Sequence, residues 1–170
     1  MSEVDQQTVV FPAPFHCYKP ATHKVFGTVC MTTDNRVLVV KGRRSGKWSF
    51  PKGHKLPRET YLQCALRETV EETGVDLSGL RATSSHRLSA GEYYFFEVEE
   101  AVETTVRDTL EVEEAKWLTL DEIAELQCNV DVNYFLDRID RRLRRGARRR
   151  ANAAAATSQE SEPRPQTPLT

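Results

Sequence analysis

The chain has 170 residues, 39% of them apolar, which is enough for one folded domain with some unpacked sequence beside it. Its net charge of −1 combines −7 over residues 1–137 (15 basic, 22 acidic) with +6 over residues 138–170 (9 basic, 3 acidic), which predicts an acidic body and a basic tail. The sequence lacks a long apolar run, a basic start followed by an apolar block and a CxxC pair, which argues against a spanning helix, a secretory signal and a zinc site.

The N-terminal part of the chain predicts an arm followed by short strands. Residues 1–20 are polar and proline-bearing, so we expect a flexible arm there. Residues 25–31 and 36–40 are rich in β-branched and apolar side chains, and residues 33–35 between them are typical of a turn. This pattern predicts a β-hairpin, and residues 48–50 predict another short strand.

A helical period then replaces the strand pattern from Thr60 to Thr73. Gly74 is placed to end this helix, because glycine readily adopts the left-handed conformation of a C-cap. The spacing predicts one buried stripe on the helix, formed by Leu62, Leu66, Thr69 and Thr73.

The second half predicts more strands and two helices. Thr119 with Glu122 has the spacing of a capping box, which predicts a helix start, and a last helix is expected from near Asp131. Together these elements predict a mixed-sheet α/β domain with one central helix and two C-terminal ones. The strands are expected over residues 87–88, 93–98 (after a turn at 90–92), 104–109 and 115–118.

Three carboxylates on the central helix are candidate functional groups. At about 100° per residue, Glu68, Glu71 and Glu72 fall on one side, roughly opposite the predicted stripe. Three acidic groups within one turn near a helix C-terminus repel one another and oppose the helix dipole. A bound Mg²⁺ would relieve both penalties, whereas a solvated acidic face is the alternative explanation of the triplet.

The segment from Gly53 to Val75 resembles the signature of the Nudix hydrolases. Val75 fills one of the two apolar positions of that signature, and Thr69 stands at the other, where an aliphatic residue is usual. All seven fixed positions match, namely Gly53, Glu59, Arg67, Glu68, Glu71, Glu72 and Gly74.

This resemblance implies an α/β/α sandwich with a mixed sheet and a catalytic loop–helix–loop. By position in the signature, Mg²⁺ or Mn²⁺ would be held by the carbonyl of Gly53 and by the three helix glutamates. Glu59 and Arg67 would orient those metal ligands. The family hydrolyses a phosphoanhydride bond in nucleoside-diphosphate-linked substrates, and the general base is open between Glu68, Glu72 and a loop acid (Glu111, Glu113 or Glu114).

The residues before the helix bear on the substrate. The lead-in over residues 48–54 resembles that of Nudix members acting on mRNA caps, dinucleoside polyphosphates and inositol pyrophosphates. Lys52, Trp48 and Arg43 are therefore the candidate substrate-binding residues. An mRNA cap or a dinucleoside polyphosphate is the expected substrate, with inositol pyrophosphate or a nucleotide sugar as alternatives.

The basic C-terminus completes the predicted organisation, which is an arm (1–20), a Nudix-like domain (21–145) and a basic, then disordered tail (146–170). Eight arginines lie between residues 138 and 150, which predicts RNA contacts, a nuclear-import address or a solvated helix face. A non-catalytic RNA-binding module with the same fold is the rival function. The scattered cysteines indicate reduced thiols and an intracellular protein, cytoplasmic or nuclear.

Overall fold

The structure, a computed structural model, describes residues 25–89, 91–139 and 141. A boundary after Tyr134 separates two units, and the fold below is that of the first. In the second unit, Arg141 forms an ion pair with Asp137 one helical turn earlier. The predicted arm and tail lie outside the described residues, so the predicted domain limits stay predictions.

One mixed sheet organises the first unit within the described residues. Its strands are β1 (Val25–Thr32), β2 (Arg36–Gly42), β3 (Trp48–Ser49), β4 (Lys52–His54), β5 (Ser84–Arg87), β6 (Gly91–Val98) and β7 (Val112–Thr119). The order is β3-β2-β1-β6-β5, with β4 also paired to β1 and β7 to β2. The central pair β1–β6 is parallel, while the other strand pairs are antiparallel.

The helices begin and end where local sequence signals place them. Helix α1 (Tyr61–Thr73) begins after Thr60, whose side chain forms a capping box with Gln63. It ends at Gly74, which has a φ of 76°. Helix α2 (Leu120–Ala124) follows the predicted capping box of Thr119, and another helix begins at residue 130. All three predicted helices are confirmed.

The two faces of the sheet carry different helices. On one face, Thr28 of β1 forms a 2.7 Å hydrogen bond to Thr69 of α1. Tyr94 of β6 packs on this same face. Its neighbour Tyr93 points to the opposite face, because successive strand residues alternate. There Tyr93 donates a 2.7 Å hydrogen bond to Asp131, in the helix that begins at residue 130. The predicted α/β/α sandwich is therefore confirmed.

The core on the α1 face contains two of the three buried, free cysteines of the described residues, Cys30 and Cys64. Cys30 packs there with Leu38 and Phe96. Cys64 and Cys128 are also buried and free, as expected for reduced thiols, whereas Cys17 lies outside the described residues. No helix among the described residues is both long and apolar enough to cross a bilayer.

Two of the predicted segments of the second half are wrong. Residues 104–109 form a loop, because their backbone N–H groups bind the C-terminal carbonyls of α1 instead of a neighbouring strand. The turn predicted at residues 90–92 comes too late, since Gly91 already pairs with Val25 in the sheet. The N–H of Leu88 closes the turn on the Gly91 carbonyl at 2.9 Å.

The predicted stripe on α1 is only partly right. Thr69 and Thr73 are fully buried, but Leu62 and Leu66 are only partly so. The buried surface extends instead around the helix through Cys64 and Ala65 to Glu72. Strand β4 lies along that side of the helix, so the glutamates do not all face solvent opposite the stripe.

Candidate active site

Strand β4 brings its backbone against two glutamates of α1. The Cα of Gly53 lies so close to Glu68 that a Cβ at this position would be 2.0 Å from the carboxyl carbon. One residue earlier, the backbone N–H of Lys52 donates a 2.9 Å hydrogen bond to Oε2 of Glu72. The glycine of the predicted signature is thus required for close approach to a carboxylate.

Arg67 connects the remaining acids of the site. Its Nε and Nη2 lie 3.1 and 2.9 Å from the two carboxylate oxygens of Glu59, a bidentate pair that only a planar guanidinium makes. Nη1 lies 2.7 Å from Glu68 and 2.9 Å from Glu71. Nη2 also donates to the carbonyl of His54 at 3.0 Å, which ties the loop before α1 to the helix.

The acids of this site have unequal electrostatic environments. Burial raises the pKa of Glu72 to about 8, against the opposing effects of Lys52. Burial also raises the pKa of Glu68. Hydrogen bonding from Arg67 instead lowers the pKa of Glu59 to about 2. Ionised Glu68 and Glu72 therefore lie in an environment that disfavours their charge, which a cation would correct.

The three acids that were open as a general base from a loop differ in position, since Glu113 and Glu114 lie in β7 whereas Glu111 lies in the turn before it. Glu113 lies 3.4 Å from Lys41 Nζ, and Glu114 pairs with Lys116. The Glu111 carboxylate has no hydrogen-bond or ion-pair partner among the described residues. The charge of Glu111 also raises the pKa of Glu68 and of Glu72, although less than burial does. Glu111 therefore lies on the same side as those two carboxylates.

Comparison with known proteins identifies the family. The model of the NUDIX domain matches residues 21–138, which is well over half of the chain. The chain belongs to the Nudix family. The match spans the sheet, α1 and the loop that carries Glu111.

Two curated Nudix relatives illustrate the similarity. The chain is 41% identical over 66 residues to mRNA-decapping enzyme subunit 2 of Arabidopsis thaliana, covering 39% of this chain and 17% of that protein. It is 36% identical over 89 residues to the asymmetrical bis(5'-nucleosyl)-tetraphosphatase of Sus scrofa, covering 46% of this chain and 60% of that protein. The chain thus spans less than two thirds of either relative.

Solved structures support the Nudix fold. An Ap4A hydrolase binary complex from C. elegans superposes with a TM-score of 0.57 at 21% identity, over 71% of this chain and 98% of that one. The NUDIX domain of Shewanella oneidensis NrtR, complexed with ADP ribose, also gives 0.57, at 20% identity, over 75% and 94%. These similarities concern the fold.

The Nudix signature residues offer the donor chemistry that suits a divalent cation. In the described part of the chain, no three His, Cys, Asp or Glu side chains converge to hold a metal as they stand. Arg67 occupies one oxygen each of Glu68 and Glu71, and Glu71 is 46% exposed and can reorient. Carboxylate oxygens beside the Gly53 backbone are the donors that Mg²⁺ and Mn²⁺ prefer. The ligand roles of Gly53 and the three glutamates stay predictions.

The predicted substrate-binding residues occupy three different environments. Lys52 is part-buried, with Nζ 3.4 Å from Ser49 Oγ, and lies beside the carboxylates. Trp48 is only 7% exposed, so little of its ring is available for stacking. Arg43 is exposed and donates from Nε to the carbonyl of Thr109 at 2.8 Å. Their substrate roles stay predictions.

Sequence reasoning missed how the loop before β7 contributes to this Nudix site. The N–H groups of Arg107 and Asp108 donate to the carbonyl of Glu71, and that of Thr105 donates to Thr73. These contacts satisfy orphan carbonyls at the end of α1. One signal was available: Gly74, where a Cβ would be 2.7 Å from the Thr105 carbonyl oxygen.

Proposed function

We propose that this chain is a divalent-metal-dependent hydrolase that cleaves a phosphoanhydride bond in a nucleoside-diphosphate-linked substrate. The observation that carries this proposal is the arrangement of Glu68 and Glu72, which lie against the β4 backbone with raised pKa values. Burial is unfavourable for ionised acids at these positions. A cation and a diphosphate would supply the interaction that makes them favourable.

The proposed roles divide among binding, orientation and proton transfer. The Gly53 carbonyl and the three glutamates of α1 would hold Mg²⁺ or Mn²⁺, which when bound neutralises charge on the phosphate oxygens. Arg67, fixed by its bidentate pair with Glu59, orients Glu68 and Glu71.

Glu111 is our proposed general base. In this role it takes the proton from a water that attacks phosphorus, while the bridging P–O bond of the phosphoanhydride breaks and its oxygen leaves with the departing phosphate group. Its carboxylate is the loop acid without a partner among the described residues, whereas Glu113 and Glu114 pair with lysines. Glu72 is a poorer base, since its Oε2 already accepts from the Lys52 backbone and the side chain is buried.

The proposed substrate is an mRNA cap or a dinucleoside polyphosphate. The decapping subunit and the tetraphosphatase share sequence with this chain over 66 and 89 residues, respectively. Lys52 beside the carboxylates supports a substrate with a phosphate chain longer than two groups. Inositol pyrophosphates and nucleotide sugars are the alternative substrates.

RNA is also a proposed partner through the eight arginines between residues 138 and 150. Such a run attracts phosphates and makes binding depend on salt. The free, buried thiols agree with an intracellular place of action. Salt-sensitive RNA binding without a Mg²⁺-dependent product would favour the rival, non-catalytic function.

The test is a substrate panel of capped RNA, dinucleoside tetraphosphate, inositol pyrophosphate and nucleotide sugar, each with and without Mg²⁺. Glu71→Gln and Glu72→Gln should abolish turnover while circular dichroism stays unchanged. The matched control is Glu97→Gln, an exposed glutamate of β6 outside the site. Wild-type activity in the first two variants would contradict the metal-ligand assignment.

A further inference from the structure

The turn that carries Glu111 is held by one residue of the β2–β3 loop. The N–H of Arg43 donates to the carbonyl of Glu111 at 2.8 Å, and its Nε donates to the carbonyl of Thr109 at the same distance. Pairing between β2 and β7 shifts register at Gly42, so these two hydrogen bonds continue the contact where the ladder is interrupted. The backbone and the side chain of Arg43 thus bind the two ends of the segment 109–111.

Asp108 supports the same turn from within the loop. Its Oδ1 accepts from the N–H groups of Leu110 and Glu111 at 3.1 and 3.3 Å, and its carbonyl accepts from Val112 at 3.1 Å. The N–H of Asp108 itself binds the carbonyl of Glu71. The turn is therefore connected to Arg43 on one side and to α1 on the other.

The backbone and the carboxylate of Glu111 differ in their contacts, and this difference indicates the role of the turn. Its N–H and carbonyl are both hydrogen-bonded, whereas its carboxylate has no partner among the described residues. A fixed backbone with an unengaged carboxylate is suited to hold a proton acceptor in place for reaction.

We propose that Arg43 is a positioning residue that holds the Glu111 turn beside α1, and does not act by binding substrate phosphate. This inference rests on the proposed function, in which Glu111 accepts a proton. It differs from the substrate-binding role that the sequence suggests for Arg43, and it rests on the two hydrogen bonds from the backbone N–H and the Nε–H to the Glu111 turn.

Steady-state kinetics separate the two roles. A positioning role predicts that Arg43→Gln lowers kcat about ten-fold and changes KM less than about two-fold, because substrate still binds but the base is misplaced. A phosphate-binding role predicts a raised KM with little change in kcat. Arg43→Lys keeps the charge without the planar fork, so near-complete recovery of kcat would overturn the proposal. Arg44→Gln, the exposed neighbouring arginine, is the control and should match the wild type.

A double variant gives the sharper test. If Arg43 acts through Glu111, adding Arg43→Gln to Glu111→Gln should lower kcat less than about two-fold further, because no base remains to be positioned. A full additional ten-fold loss would overturn the proposal.

Hydrogen exchange tests the contact without any turnover. In metal-free protein, Arg43→Gln should speed amide exchange of residues 109–112 several-fold relative to wild type and Arg44→Gln. Unchanged exchange there would overturn the proposal. If the wild type hydrolyses no substrate of the panel, the proposed function fails, while exchange still reports whether Arg43 holds the turn.

Discussion

The backbone N–H of Lys52 donates to the carboxylate of Glu72, joining the strand before α1 to the last turn of that helix. Glu72 is only 5% exposed, so this bond and the charge of Lys52 are what oppose its desolvation. Burial prevails and raises the pKa of Glu72 to about 8. Without a cation, the folded protein therefore keeps a proton here that the unfolded chain releases at lower pH.

The free energy of unfolding of metal-free protein should consequently fall as pH rises from about 4.5 to about 8. In this window the native state binds a proton on Glu72 that the unfolded state has lost, so stability decreases with pH. Well above pH 8 the loss approaches about 5 kcal/mol, since one pKa unit corresponds to about 1.4 kcal/mol. Glu72→Gln keeps an acceptor for the Lys52 N–H and should remove most of this loss. Urea unfolding at pH 5 and pH 8.5 measures the loss of stability in the wild type and in Glu72→Gln.

Magnesium gives the control for this experiment. Added Mg²⁺ should stabilise the wild type at pH 8.5, since a ligand that binds only the native state raises stability. It should stabilise Glu72→Gln much less. A wild type whose stability is equal at the two pH values would contradict the burial of an ionisable Glu72.

The local parts of this structure could be predicted from sequence. The extent of helix α1 and its C-cap follow from the helical period over residues 60–73 and from Gly74, which are signals within or next to the helix itself. Contacts across long separations could not be predicted. The Arg43–Thr109 bond joins residues 66 apart, and nothing local indicates which loop acid an arginine would position.

Arg67 should not be replaceable by lysine. Its guanidinium pairs with Glu59 through two nitrogens and contacts Glu68 and Glu71 through a third, and an ammonium group cannot span these partners. We expect Arg67→Lys to weaken Mg²⁺ affinity about 10- to 100-fold, as measured by calorimetry. Arg36→Lys, at an exposed pair with Asp34, is the matched control. Equal affinity in both variants would mean that Arg67 does not orient the metal ligands.

Gly53→Ala should inactivate the protein by displacing one carboxylate. The new Cβ would overlap all three carboxyl atoms of Glu68, and φ at Gly53 is not positive, so backbone strain is not the cause. We expect kcat/KM to fall about 100-fold or more while the circular dichroism spectrum stays near native. Gly79→Ala is the control, because the space around Gly79 is open and its φ is also not positive. Substantial activity in Gly53→Ala would show that the reaction does not depend on the position of the Glu68 carboxylate.

Thr69, at a position where Nudix members usually have an aliphatic residue, forms a buried pair with Thr28. The Thr69 hydroxyl donates to the carbonyl of Ala65 at 2.8 Å, so the Thr28 hydroxyl donates to Thr69 Oγ1. The two threonines are 41 residues apart, so the sequence around Thr69 does not indicate this pair.

The threonine pair should behave as one unit in a double-mutant cycle. Thr69→Val leaves the Thr28 hydroxyl buried without its acceptor, at a cost of about 1–3 kcal/mol. Once Thr28→Val removes that hydroxyl as well, two methyl-bearing side chains of similar shape meet, and the double variant should be more stable than the sum of the single losses predicts. Urea unfolding of the four proteins measures the coupling. Strict additivity would show that the two hydroxyls do not depend on each other, and that Thr69 is merely a small side chain in an aliphatic position.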